Sequence, residues 1–255
     1  WRKPLVFGIS NALVFISLRQ ALRTQRLVSR HFVSHLAAWS TAVEVGIITL
    51  QAWRGVPSHF NTETVLDTSL YAVKMCGVLL LGLACFLATV GVLAKPAAAS
   101  TAQLASLRHG LLLMCVSVLV GAAQVIYGHT AREARAQEEA PCLEATAGAT
   151  GSPCYEIHGK AVVKLAHFLP LHATEVLLLL VWAARQFPDC NGLRLVRLAA
   201  SGCWSIALLG LWQTLKGEDI RSFDNAVATV VVVASLSLVL LPCLLVFAAP
   251  AILAA

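Results

Sequence analysis

Residues 75–94 are twenty consecutive positions without a charge, and 226–255 are thirty. In lipid, every backbone N–H and C=O must find its partner within the segment, so a spanning stretch folds as a helix. Crossing the ~30 Å hydrocarbon core takes about 20 mostly apolar residues. Residues 110–128 and 198–215 also lack charge, and 32–53 and 162–184 are long enough but carry one acid each, Glu44 and Glu175. A shorter first segment contains Asn11. The pattern predicts seven helices over 4–22, 32–53, 71–94, 109–128, 162–184, 198–215 and 226–249.

The expected fold class is therefore all-α, a polytopic integral membrane bundle forming a single domain over 1–255. Charged residues make up 13% of the chain and hydrophobic ones 58%, against about 25% charged in a soluble domain. That deficit excludes a soluble enzyme, a disordered tail and a nucleic-acid binder. The net charge of +6 is scattered between apolar runs and forms no continuous basic stripe. There is no internal repeat. Pro170 and Pro242 are expected to kink their helices. The sequence opens on Trp1, so a removed leader or a shortened first helix is expected.

Orientation follows from loop charge. Arg19, Arg23, Arg26 and Arg30 crowd the first loop, which should stay on the cytoplasmic, matrix or stromal side. Seven spans then put the N-terminus outside and the C-terminus inside. The expected location is a bacterial inner membrane or an organellar inner membrane, with the bilayer as partner and lipid contact at the arginine-rich loop. Cys76, Cys85, Cys115, Cys203 and Cys243 fall within spans. Cys142 and Cys154 share the outer loop 129–161, and their disulfide would stabilise by about 3 kcal/mol in an oxidising compartment.

Ionisable groups inside a span cost about 2.5–3.5 kcal/mol each on insertion scales, so they face the bundle and mark function. Glu44 and Gln51 are seven apart and share a helix face, with Ser40 one turn below. Gly110, Ser117 and Gln124 repeat at seven on the fourth span, and His172 and Glu175 are three apart on the fifth. His167 lies five before His172, on another part of the surface unless Pro170 rotates it. At ~1.5 Å per residue, Glu44 and His172 sit roughly 13 and 15 Å from the outer ends of their helices. His59, His129 and His158 lie just above. His31, His35 and His109 belong to the inner interface.

Three chemistries use such an outer collection. Imidazoles with a carboxylate ligate a transition metal; two facing histidines hold a haem; a Glu–His chain carries protons. No CxxC pair favours the first. Other seven-helix classes are excluded on their own signatures. The last span has no Lys for a retinal Schiff base, no Asn-Pro-x-x-Tyr and no His for a zinc hydrolase, and no Asp-Arg-Tyr ends the third.

The stretch EVGIITLQAWRGVPSHFN (Glu44 to Asn61), followed by Thr64 and Asp67, resembles a segment in a family of uncharacterised bacterial multi-pass membrane proteins. Gly128-His129-Thr130 and KLAHFLPLHATEVL (Lys164 to Leu177) continue the likeness in order and spacing over about half the chain. The resemblance implies a multi-pass fold and picks out Glu44, Gln51, His59, Asn61, His129, His167 and His172. It names no reaction. The acidic loop with Cys142 and Cys154 departs from the family's Gly- and Pro-rich one, and Glu175 stands where the family often has Gln.

The leading expectation is a metal or haem site in the outer leaflet built from His59, His129, His167 and His172. Glu44, Glu175, Gln51 and Gln124 would be orienting or proton-linked groups, in membrane redox or metal handling. The alternatives are an accessory subunit of a larger membrane complex, and a proton-coupled transporter running through Glu44 and His172.

Overall fold

Helices begin and end where local chemistry dictates. Ser29 accepts a hydrogen bond from the Phe32 N–H at the start of the second helix, and Thr64 accepts one from the Asp67 N–H at the start of the third. The second helix ends at Arg54 with Gly55 at φ +70°, the left-handed position that glycine reaches at least cost. There the Gly55 N–H bonds to the Ala52 carbonyl and the Val56 N–H to the Gln51 carbonyl, the paired closure of a Schellman motif.

The computed structural model describes residues 2–59, 61–97, 99–137, 164–186, 191–216 and 226–253. Its elements are α1 (Arg2–Arg23), α2 (Arg30–Trp53), α3 (Val65–Ala94), α4 (Thr101–Gln137), α5 (Lys164–Leu171), α6 (Ala173–Ala184), α7 (Gly192–Lys216) and α8 (Ala226–Leu253). Among the described residues the only β-type pairing is one isolated bridge between Gln25 and Pro96. The chain is an all-α polytopic bundle. Within the described residues, α1, α2, α3, Thr101–Ala123 of α4 and Gly192–Trp212 of α7 are long and apolar enough to cross a membrane. Ala173–Ala184 and Thr229–Leu244 are shorter apolar helices. Large apolar side chains including Trp39, Trp53, Phe86 and Trp182 are exposed on the outside of the bundle, as contact with lipid requires.

Over the described residues each predicted span coincides with helix, and several helices outrun the apolar runs. α3 starts at Val65 rather than 71, and α4 reaches from 101 to 137 around the expected 109–128. Counting apolar residues finds the part in lipid, whereas the backbone ladder continues beyond it. The fifth span is two helices. Pro170 sits in the last turn of α5, and α6 resumes at Ala173 after His172, whose φ of −100° and ψ of 10° break the ladder. α8 runs through Pro242 uninterrupted, so the kink expected there does not divide it.

A core of Leu18, Val33, Ala88, Val92, Leu111 and their neighbours joins α1 to α4, and a second joins α6 to α7. Small residues let backbones close in. A Cβ on Gly110 would lie 2.5 Å from the Thr174 Cα, and one on Gly202 2.5 Å from the Ser235 carbonyl oxygen. At the end that carries the arginine-rich first loop, Gln25 ties the loops. Its Oε1 accepts from the Leu27 and Val28 N–H groups, and the Ala97 N–H donates to the Thr24 carbonyl at 2.7 Å.

Candidate functional site

The outer ends of α1, α3, α4 and α5 and the α2–α3 loop enclose a cavity of ≈ 530 Å³. "Outer" is the side that the arginine-rich first loop assigns by exclusion. From α3 the cavity is lined from Lys74 down to Cys85, which is roughly 16 Å along the helix axis. Arg2 and Lys3 stand on its α1 side, with Glu44, His59 and His167 on others. The remaining wall is chiefly apolar: Phe7, Val14, Val78, Leu81, Val118 and Phe168 among others.

Two ammonium groups converge on one dipeptide. Lys3 Nζ donates to His59 Nδ1 at 3.0 Å, and Lys74 Nζ donates to the Ser58 carbonyl at 2.8 Å. Ser58 Oγ lies 3.0 Å from the same His59 Nδ1. Lys74 is 1% exposed, and its ammonium also stands 4.7 Å from the centroid of the Tyr71 ring, within cation–π range. Below them Glu44 is buried, with Asn11 beside it on the cavity wall, near enough for its charge to reach Lys74. The face that predicted Ser40, Glu44 and Gln51 together is the buried face of α2.

Because a lysine ammonium only donates, His59 Nδ1 is an acceptor and the ring is neutral, with its proton on Nε2. Burial, followed by the nearby charges of Lys74 and Lys3, holds the His59 pKa well below the ordinary histidine value. The sign of the pH effect follows. In the window below the ordinary value of about 6.5, the unfolded chain binds a proton on residue 59 that the folded chain refuses. Stability is expected to fall as pH drops through that window and to be insensitive to this group above it. Thermal unfolding in detergent between about pH 5 and pH 7.5 checks this: His59→Gln should show a shallower slope than wild type.

The other predicted residues go to separate places. His167 Nδ1 is 2.8 Å from the Ser117 carbonyl oxygen, and Ser117 Oγ donates to the His167 carbonyl at 2.6 Å. The ring lies over Gly121, where a Cβ would come within 2.9 Å of it. The small and polar stripe Gly110, Ser117, Gly121 is thus the face of α4 that receives α5 and α6. His172 turns the opposite way, toward α1, with its Nε2 2.9 Å from Ser10 Oγ. Its Nδ1 stands 3.8 Å from Glu175 Oε2, and Glu175 Oε1 accepts from Ser17 at 2.9 Å. Gln51 belongs to a third group: its Nε2 donates to Asp67 at 3.1 Å, and Arg54 and Thr64 donate to the same carboxylate. Asn61 is buried and accepts from the Glu63 N–H at 3.3 Å.

The side chains of Gln124 and His129 lie outside the described residues, as do Cys142, Cys154 and His158. Cys76, Cys85, Cys115, Cys203 and Cys243 are free thiols. Among the described residues, no three His, Cys, Asp or Glu side chains stand together so as to hold a metal ion. His59 and His167 share the cavity, whereas His172 does not line it. The residue that sequence reasoning missed is Lys74. It is the one lysine or arginine inside the predicted 71–94 span, and that was its signal in the sequence.

Compared with protein-family models, with curated proteins and with solved structures, the chain matches none.

Proposed function

We propose that the protein is a membrane-embedded binder of a small amphiphile, taken up head-outward in the outer-half cavity. The observation that carries this reading is the division of the cavity along its depth. Polar groups from Lys3, His59, Lys74 and Glu44 gather toward one end, and an apolar wall continues down α3 to Cys85. The volume lies within the usual range of about 300–1,000 Å³ for ligand sites. In this reading His172, Glu175, Ser10 and Ser17 lock α1 onto the broken α5–α6 helix. The likeness to uncharacterised bacterial multi-pass membrane proteins is part of the same proposal, since its most specific piece, PSHFN, contributes Ser58 and His59.

A haem-binding reading rests on one observation. His167 can donate from Nδ1 to the Ser117 carbonyl, which frees Nε2 as a lone pair, the arrangement a ligating imidazole uses. His59 does not supply the second ligand in its present tautomer, because its Nε2 carries the proton. One purification separates the readings. Protein extracted in mild detergent is analysed by absorption, elemental content and mass spectrometry of its solvent extract. A near-stoichiometric hydrocarbon-chain molecule is expected. A Soret band would replace the proposal with haem, and a bound metal with metal handling. Companion proteins with no small molecule would favour the accessory subunit, and proton flux in liposomes that needs Glu44 the transporter.

A further inference from the structure

His167 stands on the cavity wall with one of its two ring nitrogens uncommitted. A carbonyl oxygen only accepts, so at 2.8 Å from the Ser117 carbonyl His167 Nδ1 carries the ring proton, and in that neutral ring Nε2 is a lone pair. Both contacts of the ring with Ser117 run through Nδ1. Among the described residues Nε2 has no hydrogen-bond partner, and it opens on the cavity instead of being sealed by protein. Its depth follows from the packing of α3 on α4. A Cβ on Gly82 would meet Val118 at 3.0 Å, and one on Gly121 would meet the His167 ring. The two helices are antiparallel, since Thr89 meets Cys115, so Gly121 is level with Leu79, roughly 7–8 Å below Lys74 along α3. The wall at that level is apolar, built by Val78, Val118, Ala122 and Phe168. A buried acceptor without a donor is costly in such surroundings.

We infer that the bound amphiphile carries a hydroxyl group that donates to His167 Nε2, with its hydrocarbon chain along the apolar wall of α3 toward Cys85. This inference rests on the amphiphile reading above. A neutral lone pair asks for a proton and does not cancel a charge. A carboxylate, an ester or an ether has no proton to give, and an ammonium would bring a charge into the wall that an uncharged imidazole leaves unmatched. A hydroxyl is the simplest neutral donor that a hydrocarbon chain carries. Water would satisfy the nitrogen but would leave unused the ~16 Å of apolar wall between Lys74 and Cys85. The same hydroxyl chemistry is found on a single-chain alcohol and on a diacylglycerol. The contact is a hydrogen bond, and no covalent bond is made or broken.

The test uses the intact protein in nanodiscs of phosphatidylcholine, a lipid without a hydroxyl, at about pH 8, with cis-parinaryl alcohol as fluorescent probe. Dodecanol, 1-methoxydodecane and dioleoylglycerol compete in turn. Dodecanol should displace the probe about two- to tenfold more effectively than 1-methoxydodecane, the range of one net hydrogen bond. His167→Leu should remove that difference, and His167→Gln, which offers a carbonyl oxygen to the same hydroxyl, should keep it. The series on the unaltered protein decides the matter even if His167→Leu does not fold. Dioleoylglycerol competing better than dodecanol supports the hydroxyl on a two-chain lipid, and the reverse order supports a single-chain alcohol. Equal competition by 1-methoxydodecane, the result expected if water meets the nitrogen, would overturn the hydroxyl and leave the amphiphile reading intact. A difference that persists in folded His167→Leu would overturn His167 as its receiver. Failure of the probe and every competitor to bind would overturn both readings.

Discussion

Gly110→Val is expected to be the most destabilising single change in the bundle. Even the first added carbon would sit 2.5 Å from the Thr174 Cα and 2.6 Å from its Oγ1. A backbone atom cannot turn aside as a flexible side chain does, so α4 and α6 must separate. Overpacking of this kind typically costs about 1–3 kcal/mol and sometimes more, and here it also opens the contacts of neighbouring Leu113 and Ala173, both buried. Gly46 is the internal control: a Cβ there meets nothing within 4 Å. Gly46→Ala should be neutral or slightly stabilising through helix propensity. Thermal unfolding of the three proteins in one detergent makes the comparison. A Gly110→Val midpoint equal to that of Gly46→Ala would refute the close approach of α4 to α6.

Asp67→Ala is expected to have the next largest effect. Its carboxylate is 3% exposed and collects donors from Gln51, Arg54 and Thr64, joining the outer end of α2 to the first turn of α3. Removing it takes the shared acceptor from Gln51 and Thr64, and a stranded buried donor costs more than a made bond contributes, whereas Arg54 keeps the Gln51 Oε1 as acceptor. Arg54→Ala should cost much less, since that side chain is 31% exposed and solvent screens its contribution. Asp67 would still keep Gln51 and Thr64. The expected order of melting midpoints is wild type, Arg54→Ala, then Asp67→Ala. Equal losses would mean that the Arg54 ion pair, rather than the shared carboxylate, holds the junction.

The helices were legible because lipid imposes length and apolarity together, and no competing pattern in 75–94 or 226–249 obscures them. The face of α2 carrying Ser40, Glu44 and Gln51 was legible for the same periodic reason, as was the stripe of α4. Depth could also be counted. Lys74 and Glu44 are each nine residues from the outer end of their helix, so the arithmetic that placed Glu44 roughly 13 Å deep would have placed Lys74 beside it. Lys74 was overlooked because the charge-free run begins at the very next residue, which makes a buried cation read as a rim.

Azimuth between helices is the quantity that the sequence lacks. Gln51 was grouped with the histidines by depth, yet rotation brings it to Asp67. His167 and His172 were likewise grouped by depth; their five-residue spacing already put them on different parts of the surface, but not which helix each would meet, and around the break at His172 one goes to α4 and the other to α1. The serines that receive them, Ser117, Ser10 and Ser17, are small polar residues of a kind common in any span. Nothing local marks them as partners.

The placement of Lys74 also bears on how the chain enters the bilayer during synthesis. Ser58 and Tyr71, which meet its ammonium, and Glu44, whose charge reaches it, all precede it in the chain. When α3 leaves the ribosome, α2 and its following loop have already emerged, so the lysine has partners at its moment of insertion. The long apolar stretch behind it carries the helix into lipid, against a cost of about 2.5–3.5 kcal/mol for one central cation. The first three helices therefore bring the partners of this lysine together before α4, which completes their shared core, has emerged.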